Sequence, residues 1–134
     1  MKDKLHPRGT IHENAKRMVE LHKRIHEKYI CRNTSEEAWN EWKQACAEFH
    51  SQYDALAFPG GYEIGLKKIQ AGDFSAIENA LAYLEVRPYF FRSQYTRTKL
   101  IRLLKHAQLL PQQAERFQKV LEFELRHKKA KKRN

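Results

Sequence analysis

The chain has 134 residues, 26 Lys plus Arg against 16 Asp plus Glu, and a formal net charge of +10, with 41% apolar side chains. That length supports one ordinary core without staples and leaves no room for a second full domain. The longest uninterrupted apolar run, Ala80 to Leu84, is far short of the roughly 20 residues that span a bilayer, and no charged start leads into an apolar signal segment. Membrane spanning and secretion are therefore disfavoured, and a cytoplasmic protein with reduced cysteines, Cys31 and Cys46 unpaired, is expected.

Helical periodicity opens after Thr10, where Ile11, Ala15, Met18, His22, Ile25 and Tyr29 fall on one stripe. A capping box, Thr34-Ser35-Glu36-Glu37, predicts a second helix with Thr34 as its cap and a stripe of Ala38, Trp42, Ala45, Phe49, Tyr53 and Leu56. Pro59-Gly60-Gly61 ends this long hairpin over 10–57. Proline cannot continue the hydrogen-bond ladder, and glycine loses most entropy inside a helix. The segment through Gly65 lacks a preceding strand and a following Gly-Lys-Ser/Thr, so it reads as a turn and not a phosphate loop.

Shorter helices are predicted over 62–127. One runs from Glu63 to Gln70 and stops at Ala71-Gly72. Another follows a second capping box, Ser75 with Glu78, and carries Ile77, Leu81 and Leu84. Arg87-Pro88 breaks the chain. A fifth helix begins near Thr96 with Leu100, Leu103, Leu104 and Ala107, and a sixth begins at Pro111 with a stripe of Ala114, Phe117, Leu121 and Leu125. The basic end, 128–134, has nothing apolar to bury and is expected to be disordered. Five Gly, four Pro and no alternating segment leave little room for strands. The expected fold is all-α: one domain over 1–127 of about six helices, antiparallel hairpins in a bundle or a short repeat-like stack.

Charge is placed unevenly. Residues 34–58 hold one basic and five acidic side chains, whereas 87–134 hold fourteen and three. Within the basic part, 87–105 has six basic residues, four aromatics and no acid. Lys99, Arg102 and Lys105 project opposite the Leu100/Leu104 stripe, so one helix face is basic while the other packs. Arg92, Arg97, Lys99, Arg102, Lys105 and the tail residues Lys128, Lys129, Lys131, Lys132 and Arg133 are the candidate polyanion contacts, and Tyr89 or Tyr95 is a candidate stacking residue for an unpaired base. The competing explanation is a solvated helix face above a core containing Phe90, Phe91 and Tyr95.

A second constellation is His22, His26, Cys46 and His50. In a hairpin turning near Asn33, His22 lies level with about Cys46, and a metal site or an activated thiol is geometrically conceivable. The spacing matches no zinc pattern and no orienting acid is evident, so a buried histidine bonded to a carbonyl, or a histidine at an interface, is preferred and no metal or cofactor is assigned. Glu36, Glu37, Glu41 and Glu48 form an acidic patch without the companions of acid–base chemistry. Trp39 and Phe123 lie off their apolar stripes, where an interface or further helix packing would explain them.

The expected function is non-enzymatic binding of a polyanion, RNA or DNA, by the basic C-terminal pole. The alternative is a protein-interaction module, an adaptor, inhibitor or immunity-type protein, that meets an acidic protein partner. An enzyme is disfavoured because no nucleophile, base and orienting group fall into a recognisable arrangement.

Overall fold

The computed structural model describes residues 7–133, with side chains described through Lys129. Among the described residues the chain forms six α-helices and no strand: α1 (Pro7–Tyr29), α2 (Glu36–Ala57), α3 (Tyr62–Gln70), α4 (Phe74–Val86), α5 (Ser93–Lys105) and α6 (Pro111–Arg133). The protein is an all-α bundle, as the periodicity predicts.

Helix α4 explains the arrangement of the others. It buries Ala76, Ile77, Ala80, Leu81, Ala82, Tyr83 and Leu84, and a helix apolar nearly all round has to be covered on every side. Helices α1, α3, α5 and α6 pack on it, while α2 lies along α1 and touches α3. The core is continuous from Ile11, Met18 and Leu21 through Phe49 and Phe58 to Leu100, Leu104, Phe117 and Val120. Arg116 of α6 forms a two-pronged contact with Glu85 at 2.8 and 2.9 Å and reaches Glu78 at 2.9 Å, which fixes α6 on α4. Arg116 holds the Glu85 carboxyl below its usual range, and Arg8 of α1 joins it at 2.8 Å.

The helix starts differ from expectation in detail. Ser35, not Thr34, caps α2 by accepting from the Ala38 amide at 3.0 Å, while the Thr34 hydroxyl donates back to the Cys31 carbonyl at 2.7 Å. Asp73, not Ser75, caps α4 by accepting from the Ala76 amide at 2.8 Å. Helix α5 begins at Ser93, one turn before Thr96. The Arg24–Glu48 and Lys28–Glu41 ion pairs, at 2.8 and 3.3 Å, set the α1–α2 register. That register centres the turn near Ser35, about two residues later than Asn33.

Helix α6 starts at Pro111 as predicted, with the Gln113 side chain accepting from the Leu110 amide at 3.0 Å. Its buried residues are Gln113, Phe117 and Val120, whereas Ala114 and Leu125 are exposed, so the stripe is rotated from the predicted one. Polar partners explain the rotation. Gln113 donates to Glu78 at 2.9 Å, and Glu124 is drawn inward to Arg87 and Arg97. The helix then continues through Arg133, where disorder from 128 was expected. Lys, Arg and Ala are good helix formers, and cations are favourable beside the carbonyl end of the helix dipole.

Candidate functional site

The site is built around the segment that joins α4 to α5. Arg87 and Arg92 both take positive φ, 55° and 67°, and bracket Pro88-Tyr89-Phe90-Phe91. A non-glycine residue in the left-handed region costs about 1 kcal/mol or more, so the surroundings must impose the conformation. Tyr53 of α2 donates its hydroxyl to the Phe91 carbonyl at 3.0 Å, and Tyr83 of α4 donates to the Ser93 carbonyl at 3.3 Å. Burial pushes both hydroxyls above their ordinary pKa, so they remain protonated donors. The Ser93 hydroxyl accepts from the Phe90 amide at 3.1 Å, and Phe90 is buried beside Tyr83. Tyr89 is left 89% exposed on a loop whose backbone is pinned.

Two grooves flank this segment. The first, about 580 Å³, lies between α1 and the loop and is lined by His22, Lys23 and His26 on one side and Tyr89, Phe91 and Arg92 on the other. The His22 ring stacks on Phe91 with centroids 4.8 Å apart, and Arg92 lies over the same Phe91 ring at 5.5 Å. Burial, then the neighbouring His26, lowers the His22 pKa and favours the neutral imidazole. The second groove, about 430 Å³, lies between α5 and α6. Arg102 and Lys105 reach it from α5 and Lys128 from α6, with Ile101, Leu121 and Leu125 as apolar lining. Glu124 also lines it, but its carboxylate is engaged by Arg87 and by Arg97 Nε at 3.7 Å. Gln94 borders both grooves.

Most of the predicted contact residues are therefore accessible. Arg92, Tyr95, Arg102, Lys105, Lys128 and Lys129 are exposed and Lys99 is half-buried. Arg97 is a correction: it is only 8% exposed, turned inward to Glu124 and Gln94. Burial and the nearby Arg87 lower its pKa, and Glu124 opposes them. The side chains of Lys131, Lys132 and Arg133 lie outside the described residues. Sequence reasoning missed Lys23 and the contribution of His26 to a groove, because α1 meets the 88–92 loop only in the tertiary fold.

The histidine and cysteine candidates do not converge. His22 contacts His26, Phe49 and Phe91, and His50 contacts only the edge of Phe49 at 5.8 Å among the ring contacts. Both cysteines are free, Cys31 exposed and Cys46 half-buried. Among the described residues no group of three or more His, Cys, Asp or Glu side chains is placed to hold a metal ion. The later hairpin turn accounts for this, since it sets His22 against Phe49 where Cys46 was expected. Glu41 and Glu48 of the acidic patch are spent on the α1–α2 ion pairs.

A separate exposed cluster occupies the α1–α2 turn. Arg32 lies over the Tyr29 ring at 3.5 Å, Tyr29 and Trp39 both meet Trp42, and Ile30 is 85% exposed. Phe123, expected off its stripe, is half-covered by Arg87 at 4.6 Å and stacked on His127. No helix is long and apolar enough to cross a membrane among the described residues. Comparison with protein-family models, curated proteins and solved structures finds no match to this chain.

Proposed function

We propose that the protein is a non-enzymatic binding protein whose C-terminal pole holds a nucleic acid by its phosphates. One observation supports this reading above the others: Arg102, Lys105 and Lys128 converge from two helices on one groove whose carboxylate, Glu124, is already engaged by two other arginines. Cations held at fixed spacing along a groove neutralise successive phosphates, and the apolar lining keeps their aliphatic stems in place. Arg92, Lys99 and Lys129 extend the same field, and 87–134 as a whole carries fourteen basic side chains against three acidic ones.

The test is fluorescence anisotropy with single-stranded and duplex oligonucleotides at about 50 mM salt. The wild-type protein binds, and the double reversal Arg102→Glu/Lys105→Glu, both exposed positions, weakens binding to every sequence alike, because phosphate contacts position without specifying. Undetectable binding to both probes overturns the reading. The second reading, an acidic protein partner, is favoured by the exposed Tyr29, Ile30 and Trp39 around half-buried Trp42, which have the residue types of interface anchors, with Arg32 over the Tyr29 ring as a cation beside them. A stable complex lost on Trp39→Ala, with no oligonucleotide binding, would select it.

A further inference from the structure

We propose that the groove between α1 and the 88–92 loop is a stacking site for an unpaired nucleobase, so that the ligand is a single-stranded nucleic acid. This rests on the nucleic-acid reading above and adds to it the strand state that is recognised. A base has two flat faces and flanking phosphates, and recognising it outside a duplex takes an accessible aromatic ring with cations close by. The groove has both. Tyr89 presents a nearly bare ring, and Phe91, held by the His22 stack behind it, is 44% exposed. Lys23, His26 and Arg92 line the same groove, and no carboxylate is among the described residues that do.

The backbone supports a binding role for Tyr89 over an accidental exposure. Two arginines are forced to positive φ on either side of it, the Tyr53 hydroxyl of α2 holds the segment's Phe91 carbonyl, and the Tyr83 hydroxyl of α4 holds the Ser93 carbonyl where α5 begins. The core uses Phe90 from this segment and has no use for Tyr89. Sparsely populated backbone conformations persist where the surroundings over-determine them, and a presented ring binds better if its loop has little freedom left to lose.

Continuity supplies the remaining argument. Gln94 borders both grooves, so a strand whose base sits at Tyr89 passes directly onto Arg102, Lys105 and Lys128. Helix α5, 13 residues from Ser93 to Lys105, offers about 20 Å of track, room for a few nucleotides. A duplex could lie on the α5–α6 cations, but its paired bases cannot enter the aromatic groove.

The experiment compares three labelled probes of about 12 units: a base-bearing single strand, an abasic strand with the same phosphates, and a duplex. Wild-type protein is expected to bind the base-bearing strand most tightly. Tyr89→Ala is expected to lose roughly 5-fold or more on that strand alone, leaving the abasic strand and duplex unchanged, while Tyr89→Phe restores the affinity. Equal loss on all three probes, or no loss on any, overturns the stacking site. If Arg102→Glu/Lys105→Glu still abolishes binding in that case, the phosphate-binding reading stands without it; if wild-type protein binds no probe, both fall. Should Tyr89→Ala melt at lower temperature than wild type, Lys23→Glu is the substitute, expected to favour duplex over single strand relative to wild type, and an unchanged preference counts against the site.

Discussion

Gly65 shows how closely a single residue can be specified. It lies in α3 against the Phe58 ring, and a Cβ built there would come 2.7 Å from Phe58 Cε2. Phe58 is among the largest fully buried side chains, so its ring has nowhere to retreat. Alanine is the better helix former by about 1 kcal/mol, but overpacking a dense core costs more. Gly65→Ala is therefore expected to destabilise the protein by a net of about 0.5–2 kcal/mol, read as a lower urea midpoint with an unchanged slope. His22 makes a second expectation at this scale. Its folded pKa lies below the ordinary value, so the unfolded chain binds the proton more readily, and stability rises with pH through the region just below that value. The groups that face it, His26 and Lys23 on its own helix and Arg92 across the groove, are basic, and none is a carboxylate that would favour the charged imidazole. Stability should fall as pH drops from about 7 to 5, and His22→Phe should flatten that fall in urea titrations at each pH. A wild-type curve with no slope in that interval would contradict it.

At the scale of elements, Glu124 ties α6 to both ends of the α4–α5 connection. It meets Arg87 at the C-cap of α4 and Arg97 inside α5, and the three side chains are between 10% and 22% exposed. Glu124→Gln leaves two largely buried guanidinium groups without a countercharge, and the expected loss is about 2–4 kcal/mol by chemical denaturation. Adding Arg97→Met should recover part of that loss, since it removes one of the two stranded cations and leaves Arg87 as the other. This contact also marks where legibility in the sequence stops. Pro59-Gly60-Gly61, Gly72, Arg87-Pro88 and Pro111, together with the capping box at Thr34-Ser35 between α1 and α2, separate the six helices, because breakers and caps act locally. The caps lie one or two residues from the predicted ones, since neighbouring Thr34 and Ser35 have similar capping chemistry and Asp73 competes with Ser75. Arg97 looks accessible from the sequence alone because its burial depends on Glu124 in another helix, and no local pattern records that partner. The same holds for Lys23 and His26, whose groove exists only once α1 meets the loop.

For the molecule as a whole, the deciding quantity is the separation of charge. The acidic residues of 34–58 are partly neutralised within the α1–α2 hairpin, while Arg102, Lys105, Lys128 and Lys129 remain exposed at the opposite end of the sequence. A pole of that kind attracts polyanions over about a Debye length and loses its reach as salt rises. If about five of the exposed cations touch phosphates, log affinity should fall against log salt with a slope of roughly −3.5 for a single strand and −4.5 for a duplex. Between about 50 and 200 mM salt that is a loss on the order of 100-fold for the single strand and 500-fold for the duplex. The Arg97 correction sharpens the expectation, since Arg97→Gln should leave the slope unchanged and lower only stability, whereas Arg102→Gln should reduce the slope by about one contact. Because base stacking releases no counterions, Tyr89→Ala should weaken single-strand binding by the same factor at every salt concentration and leave that slope intact. A salt titration of the three variants separates the contributions: parallel lines for Tyr89→Ala and wild type, a shallower line for Arg102→Gln. A slope near zero for the wild type would mean that the basic pole does not grip phosphates at all.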